Sequence, residues 1–164
     1  MIQNHFPEKL DDCKNFGDIF ELVKRAVKLV LGQERSGLML YLGNLPLRVG
    51  AFHQIGSNGI VMNKRLLDLT HRYSETATEV NSFVFSILLH EYLHSLGYVD
   101  EVRVRRLVYE ICRGAFGPDH PVTRMAFSGP FPKIPPGELQ PPSNGDLELE
   151  LIRDFERSNQ SYIS

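Results

Sequence analysis

Apolar positions recur with helical spacing at the two ends of this chain's first hundred residues, and in short strand-like runs between them. Ile19, Leu22, Val23, Ala26, Val27 and Val30 fall three or four apart, the stripe of an amphipathic helix facing a core. The pattern predicts a helix starting at Asp18, with Glu21 as its capping partner, and stopping at Gly32. Residues 1–15 are only weakly patterned. Leu38 to Leu42 is a short apolar run closed by Gly43 and Asn44, and reads as a strand. Arg48–Ile55 and Ile60–Asn63 flank Gly56-Ser57-Asn58-Gly59, turn chemistry that predicts a hairpin. Asn63 is placed to cap a short helix, Lys64 to Leu69, and the polar stretch Thr70 to Glu75 leads onward.

The longest helical stretch is Thr76 to Leu96. Thr76 and Glu79 have the spacing of a capping box. Val80, Phe83, Val84, Ile87, Leu88 and Leu93 give it the composition of a buried helix. Gly97 permits a sharp turn out of it. A second helix is predicted from about Glu101 to Arg113, with Val104, Leu107, Val108 and Ile111 on one face and Asp100 as its N-cap. Gly114 and Gly117-Pro118 end it. Asp119 to Phe127 reads as a further short helix, with Pro121 in its first turn. Pro130, Pro132, Pro135, Pro136, Pro141 and Pro142 then deny residues 128–145 a helix or a central strand. Asp146 to Arg157, carrying Leu147, Leu151, Ile152 and Phe155, is expected as a final helix docked on the body, on a partner or over the cleft. The expected organisation is a domain over 1–127, a Pro-rich linker over 128–145, and a C-terminal helix and tail over 146–164.

Composition narrows the function classes. A length of 164 residues suits one domain with a substantial core. The formal net charge of −2 gives no basis for expecting nucleic acid as a partner. The two cysteines, Cys13 and Cys112, are far apart and outside any metal-ligand spacing, which fits a reducing compartment. No signal-like apolar run is visible at the N-terminus and no stretch approaches a membrane span. A cytoplasmic location is therefore the expectation.

The chemistry concentrates in His90-Glu91-Tyr92-Leu93-His94. Helical positions four apart share a face, about 5–6 Å between Cβ atoms, so two imidazoles so placed can grip one metal ion. Glu91 then lies beside the open position, where it can take a proton from a metal-bound water. His90 and His94 continue the row Phe83, Ile87 and so point toward the interior or a cleft. Two imidazoles and a carboxylate buried there need partners. One zinc ion per chain is the expected partner, and a hydrogen-bonded structural cluster is the alternative.

His90-Glu91-Tyr92-Leu93-His94-Ser95-Leu96-Gly97-Tyr98-Val99-Asp100 resembles the zincin metallopeptidases, in particular the metzincin pattern H-E-x-x-H-x-x-G-x-x-(H or D). The resemblance implies His90, His94 and Asp100 as zinc ligands, Glu91 as general base, and a methionine beneath the metal, for which Met125 is the one downstream candidate. It also implies an α+β fold with a minimal zincin-like core: an N-terminal helix, a small mixed sheet of two to four strands, the motif helix and following helices. Leu93-His94-Ser95-Leu96-Gly97-Tyr98 is also similar to a bacterial rRNA-maturation metalloprotein family with the pattern H-G-x-L-H-x-x-G-Y-D-H. Glu91 stands where that pattern has glycine, which favours the peptidase. Glu101, as a glutamate from the following helix, and His120, from a loop, are the other candidates for third ligand. Glu110 is placed too far along the helix, and His5, His53 and His71 read as surface or structural. Tyr98 is a candidate for oxyanion stabilisation, with core packing as its ordinary role.

The expected activity is hydrolysis of peptide bonds in a peptide or protein substrate, with Glu91 passing the water's proton to the leaving amine. Ile60–Asn63 is a candidate sheet edge near the metal, where a substrate can add as one more strand; an ordinary paired strand is the competing reading. Two other classes stay open. A metal-dependent hydrolase acting on RNA needs a basic surface, for which Arg103, Arg105, Arg106 and Arg113 are the available cluster. A non-catalytic zinc-stabilised binding module needs a closed fourth position.

Overall fold

Six helices and four short strands form among the residues that the computed structural model describes, namely 5–46, 49–54, 56–129 and 149–156. In chain order they are α1 (Phe6–Asp11), α2 (Phe16–Leu31), β1 (Met39–Gly43), β2 (Ala51–His53), β3 (Gly59–Asn63), α3 (Lys64–Tyr73), α4 (Ala77–Ser95), α5 (Glu101–Phe116), α6 (Pro121–Ser128) and β4 (Glu150–Ile152). The fold is mixed α+β with a small mixed sheet.

Local chemistry sets most boundaries. Helix α2 begins two residues before the expected start, because Asn15 caps it: Asp18 N–H donates to Asn15 Oδ1 at 2.8 Å. Asp18 completes the cap by accepting from Lys14 N–H at 3.0 Å. Gly32 ends the helix at φ 69°, where a side chain would be strained. Thr76 caps α4 by accepting from Glu79 N–H at 3.2 Å. The return bond of Glu79 goes to Glu75 N–H at 3.1 Å, one residue outside the expected box. Asn63 caps α3 and also reaches the carbonyls of Leu45, Pro46 and Val49 at 3.2, 3.1 and 2.9 Å. Fully buried, it fixes the loop that carries β1 toward β2.

The strand order is β2-β3-β1-β4. Strands β1 and β3 run parallel, from Met39 opposite Gly59 to Gly43 opposite Asn63. The expected hairpin is present, with β2 antiparallel to β3. With β2 on one side and β1 on the other, the Ile60–Asn63 strand is interior to the sheet, whose edges are β2 and β4. Leu40, Leu42, Ile60 and Met62 face inward and are buried, while Met39, Phe52 and Leu151 are exposed on the other face.

Helix α4 is the centre of the molecule. Every residue from Ser82 to Leu89 is buried, as a helix apolar on all sides requires. It packs against α1, α2, α3, α5, α6 and β2. No described helix is long and apolar enough to cross a membrane.

The expected terminal helix is corrected within residues 149–156. There the chain forms β4, antiparallel to β1 with Leu40 opposite Ile152. Residues 130–145 of the Pro-rich linker, and residues 146–148 and 157–164 of the tail, lie outside the described residues. Phe155 is 2% exposed and stacks on Phe20 with centroids 4.2 Å apart. Lys24 Nζ donates to Glu156 Oε1 at 2.6 Å beside that stack. The terminal segment thus contributes Phe155 to the core. Phe155→Ala is expected to cost about 3–5 kcal/mol of stability, read as a lower urea midpoint. An unchanged midpoint would show that the segment is not needed for the core.

Candidate metal centre

The last turn of α4 is closed by a pair of backbone bonds. Gly97 N–H donates to His94 O at 3.0 Å, and Tyr98 N–H donates to Leu93 O at 3.3 Å. This is a Schellman turn, which needs a left-handed residue after the helix. Gly97, at φ 106°, supplies it. The turn brings the Tyr98 carbonyl back over the helix end, 2.7 Å from His94 Nδ1. Arg35 braces the same end: its Nη1 donates to Ser95 O at 2.6 Å and its backbone N–H to Tyr92 Oη at 2.8 Å. Arg35 Nη2 also donates to Asn58 Oδ1 at 2.9 Å, tying the turn between β2 and β3 to the helix end.

Three residues later α5 begins. Asp100 is its N-cap, and its Oδ1 accepts from Val102 N–H at 3.0 Å. The carboxylate expected on the metal is engaged with its own helix instead. Glu101, the first residue of α5, turns back to α4. Its Oε1 lies 2.6 Å from His94 Nε2 and its Oε2 lies 3.1 Å from His90 Nε2. The two Nε2 atoms are 3.2 Å apart. His90, His94 and Glu101 are the one such cluster of ligand atoms among the described residues.

The hydrogen bonds show which atoms of the cluster are placed to act as ligands. A backbone carbonyl only accepts, so His94 Nδ1 must carry a hydrogen. In a neutral imidazole the Nε2 of His94 is then a bare lone pair. That lone pair faces a carboxylate oxygen and the Nε2 of His90. A proton can sit in one of these gaps, whereas a cation between the three donors satisfies all of them. An imidazole whose second nitrogen donates to a backbone carbonyl is the usual support of a metal-ligating histidine. Nitrogen and oxygen donors around a tetrahedral zinc stand about 3.3 Å apart, close to two of the three separations found here. The three residues could hold a metal ion.

No family model matches the chain, and no curated protein or solved structure matches it either. The case for the centre rests on its own geometry.

One side of the cluster is open. The Glu101 side chain is 55% exposed, against 25% for His90 and 13% for His94. His90 and Glu101 line a cleft of about 550 Å³, together with Glu91, Arg105, Met125 and Phe127. Gly50 closes in from the sheet side: a Cβ there would come within 2.6 Å of Ile87 Cδ1, one turn before Glu91. Glu91 is 6% exposed. Burial pushes its carboxyl up to about 7; the His94 charge opposes this and the Glu101 charge adds to it. Burial also lowers the pKa of His90, although the Glu101 charge opposes this. Burial works against ionised Glu101, but the His90 and His94 charges outweigh it and hold its carboxyl below the usual range.

The remaining candidates are elsewhere. Met125 lies inside α6 and not in a turn, though it lines the cleft. Tyr98 donates its hydroxyl to Gln33 Oε1 at 3.1 Å and carries the Arg103 guanidinium over its ring at 5.0 Å. Its carbonyl, not its hydroxyl, serves the centre. His53 Nδ1 is bound to Gly59 O at 3.1 Å. His5 stands at the N-cap position of α1 with no side-chain cap bond, and His71 and Glu110 are exposed. Sequence reasoning missed the bracing by Arg35 and the position of Arg105 in the cleft. Glu101 and Arg105 are four apart on α5, and this spacing is the signal that could have found the second.

His120 is the N-cap of α6. Val122 N–H donates to its Nδ1 at 3.1 Å, and its ring packs on Phe116 at 4.8 Å. Burial lowers its pKa from the ordinary 6.5; Asp11 opposes and Arg124 reinforces this. The folded chain thus binds this proton less readily than the unfolded chain. The stability it contributes is present above pH 6.5 and is lost as pH falls through the lower folded value. Asn caps well and does not titrate. His120→Asn is therefore expected to lose less stability than the parent between roughly pH 7 and pH 5, measured by urea unfolding at each pH. Parallel losses would remove His120 from the acid response.

Proposed function

We propose that the chain is a zinc-dependent peptidase of zincin type, with His90, His94 and Glu101 as metal ligands and Glu91 as general base. The observation that carries this reading is the convergence of three potential ligand atoms, with the Nδ1 of His94 held on the Tyr98 carbonyl so that its Nε2 is the lone-pair nitrogen of the neutral ring. Two imidazoles and a carboxylate are a donor set of catalytic zinc, leaving one position for water or substrate. When bound, the ion supplies Lewis-acid polarisation of the substrate carbonyl and lowers the pKa of water.

The chain's own residues supply the rest. Glu91 is the neighbour of His90 and lines the same cleft. Its buried carboxyl takes a proton from the attacking water and returns it to the leaving amine. The Schellman turn and Arg35 keep His94 in one orientation. The α5 cap at Asp100 sets the register that turns Glu101, rather than its neighbour, toward α4. An extended substrate can lie along β2, the sheet edge beside α4, by adding a further strand.

The test is metal content with peptide hydrolysis. Purified protein is expected to hold close to one zinc per chain. A chelator should abolish hydrolysis of an unstructured peptide mixture, and zinc should restore it. A zinc-loaded protein that leaves every peptide intact would reduce the centre to a structural one.

A further inference from the structure

Among the described residues lining the cleft, Arg105 is the one Lys or Arg. It stands one helical turn beyond Glu101 on α5, so both project on the same face. Glu101 is engaged with the two histidines. Among the described residues no ion pair is found between a carboxylate and Arg105. Its neighbours in function are different. Arg35 is spent on carbonyls and on Asn58, and Arg103 lies over the Tyr98 ring. The α6 residues Met125, Ala126 and Phe127 line the same cleft, and Phe127 is 82% exposed.

We propose that Arg105 is a specificity-determining residue that pairs with a carboxylate on the peptide seated in the cleft. The proposal rests on the peptidase reading and names its substrate class: a peptide that places an anionic group beside the metal centre and apolar groups against α6. A guanidinium offers a planar fork that matches a carboxylate, and the pair forms in a cleft partly shielded from water. A single cation does not suit nucleic acid, which is held by several phosphate contacts at once. The carboxylate has two sources, an acidic side chain within the peptide or its free C-terminus. They share one chemistry and differ in where cleavage falls.

The experiment uses the full-length, zinc-loaded chain and matched peptides. One set carries Glu or Gln at each position along an end-blocked peptide. A second set has a free or an amidated C-terminus. The parent is expected to show about a tenfold higher kcat/KM for the anionic member of one set, mostly through KM. Preference within the first set identifies an acidic side chain, and within the second a terminal carboxylate. In Arg105→Gln the ratio should fall to near one, in Arg105→Lys it should fall only in part, and Arg105→Glu should favour a lysine-bearing peptide. Arg105 is exposed, so these changes spare the core. Equilibrium binding of the same peptides is measured in parallel and needs no turnover. Hydrolysis of neutral and anionic peptides at equal rates overturns the Arg105 proposal and leaves the peptidase reading standing. Absence of all hydrolysis overturns that reading, and the binding ratio then decides on Arg105 alone. Salt-dependent binding of a single-stranded oligoribonucleotide that disappears in Arg105→Gln, with no peptide preference, assigns the arginine to phosphate and overturns the proposal.

Discussion

Replacing Glu101 by Gln is expected to weaken zinc binding by more than the roughly 10–100-fold that outer-shell changes cost, while Asp100→Asn holds affinity within a few-fold. The two residues are adjacent and both are carboxylates, so the comparison isolates position. Asp100 Oδ1 accepts the Val102 amide and caps α5. Asn caps equally well, so its substitution leaves both the helix start and the cluster in place. Glu101 Oε1 and Oε2 face the two imidazoles. Gln keeps the length of the side chain and removes the negative charge that partly neutralises the ion. Its amide nitrogen also cannot ligate. Glu101 is more than half exposed, so the fold is expected to survive and the loss to appear in a competition titration with a chelating dye. His120→Ala should leave affinity unchanged, because His120 caps α6 away from the cluster. Loss of affinity in Asp100→Asn with retention in Glu101→Gln would return the third ligand to the position that the motif spacing implied.

That comparison also shows how far the chain can be read without its structure. Spacing on one helix is rigid, so His90, Glu91 and His94 were legible from four-residue periodicity on a helix with a readable cap and a readable stop. Spacing does not fix which carboxylate beyond the turn faces the two imidazoles: α5 starts at Glu101 as expected, and it is the Glu101 side chain that turns back. Aspartate is a preferred N-cap, and once it is assigned there the following residue becomes the one whose side chain is free to turn back. The capping preference and the motif spacing both pointed to Asp100, in two different roles, and the bond from Val102 N–H to its Oδ1 shows the first of them.

The sheet was legible in part for a similar reason. Turn chemistry at residues 56–59 identified the hairpin, but the alignment of β1 beside β3 is non-local and leaves no mark in either strand. That pairing makes Ile60–Asn63 interior and leaves β2 at the edge. At the C-terminus the signal was present. Leu147-Glu148-Leu149-Glu150-Leu151 alternates strictly, a period of two. Within its described part the chain is a strand, and β1 offers the edge that receives it.

Glu91→Gln should retain zinc and lose activity on the order of 100-fold or more. Gln has nearly the same volume, so the buried site beside His90 stays filled. It neither accepts a proton from the attacking water nor delivers one to the leaving amine. The metal ligands are untouched, so zinc content separates this variant from those of His90, His94 and Glu101, which lose the ion and the activity together. Burying a neutral amide in place of the carboxyl also removes the strain of an ionised group at a 6%-exposed position, so thermal stability should hold or rise. Loss of turnover at full zinc occupancy and unimpaired stability is the combination expected of a general base. Unchanged turnover would place the base elsewhere, and loss of zinc would make Glu91 a support of the ligands rather than a participant in proton transfer.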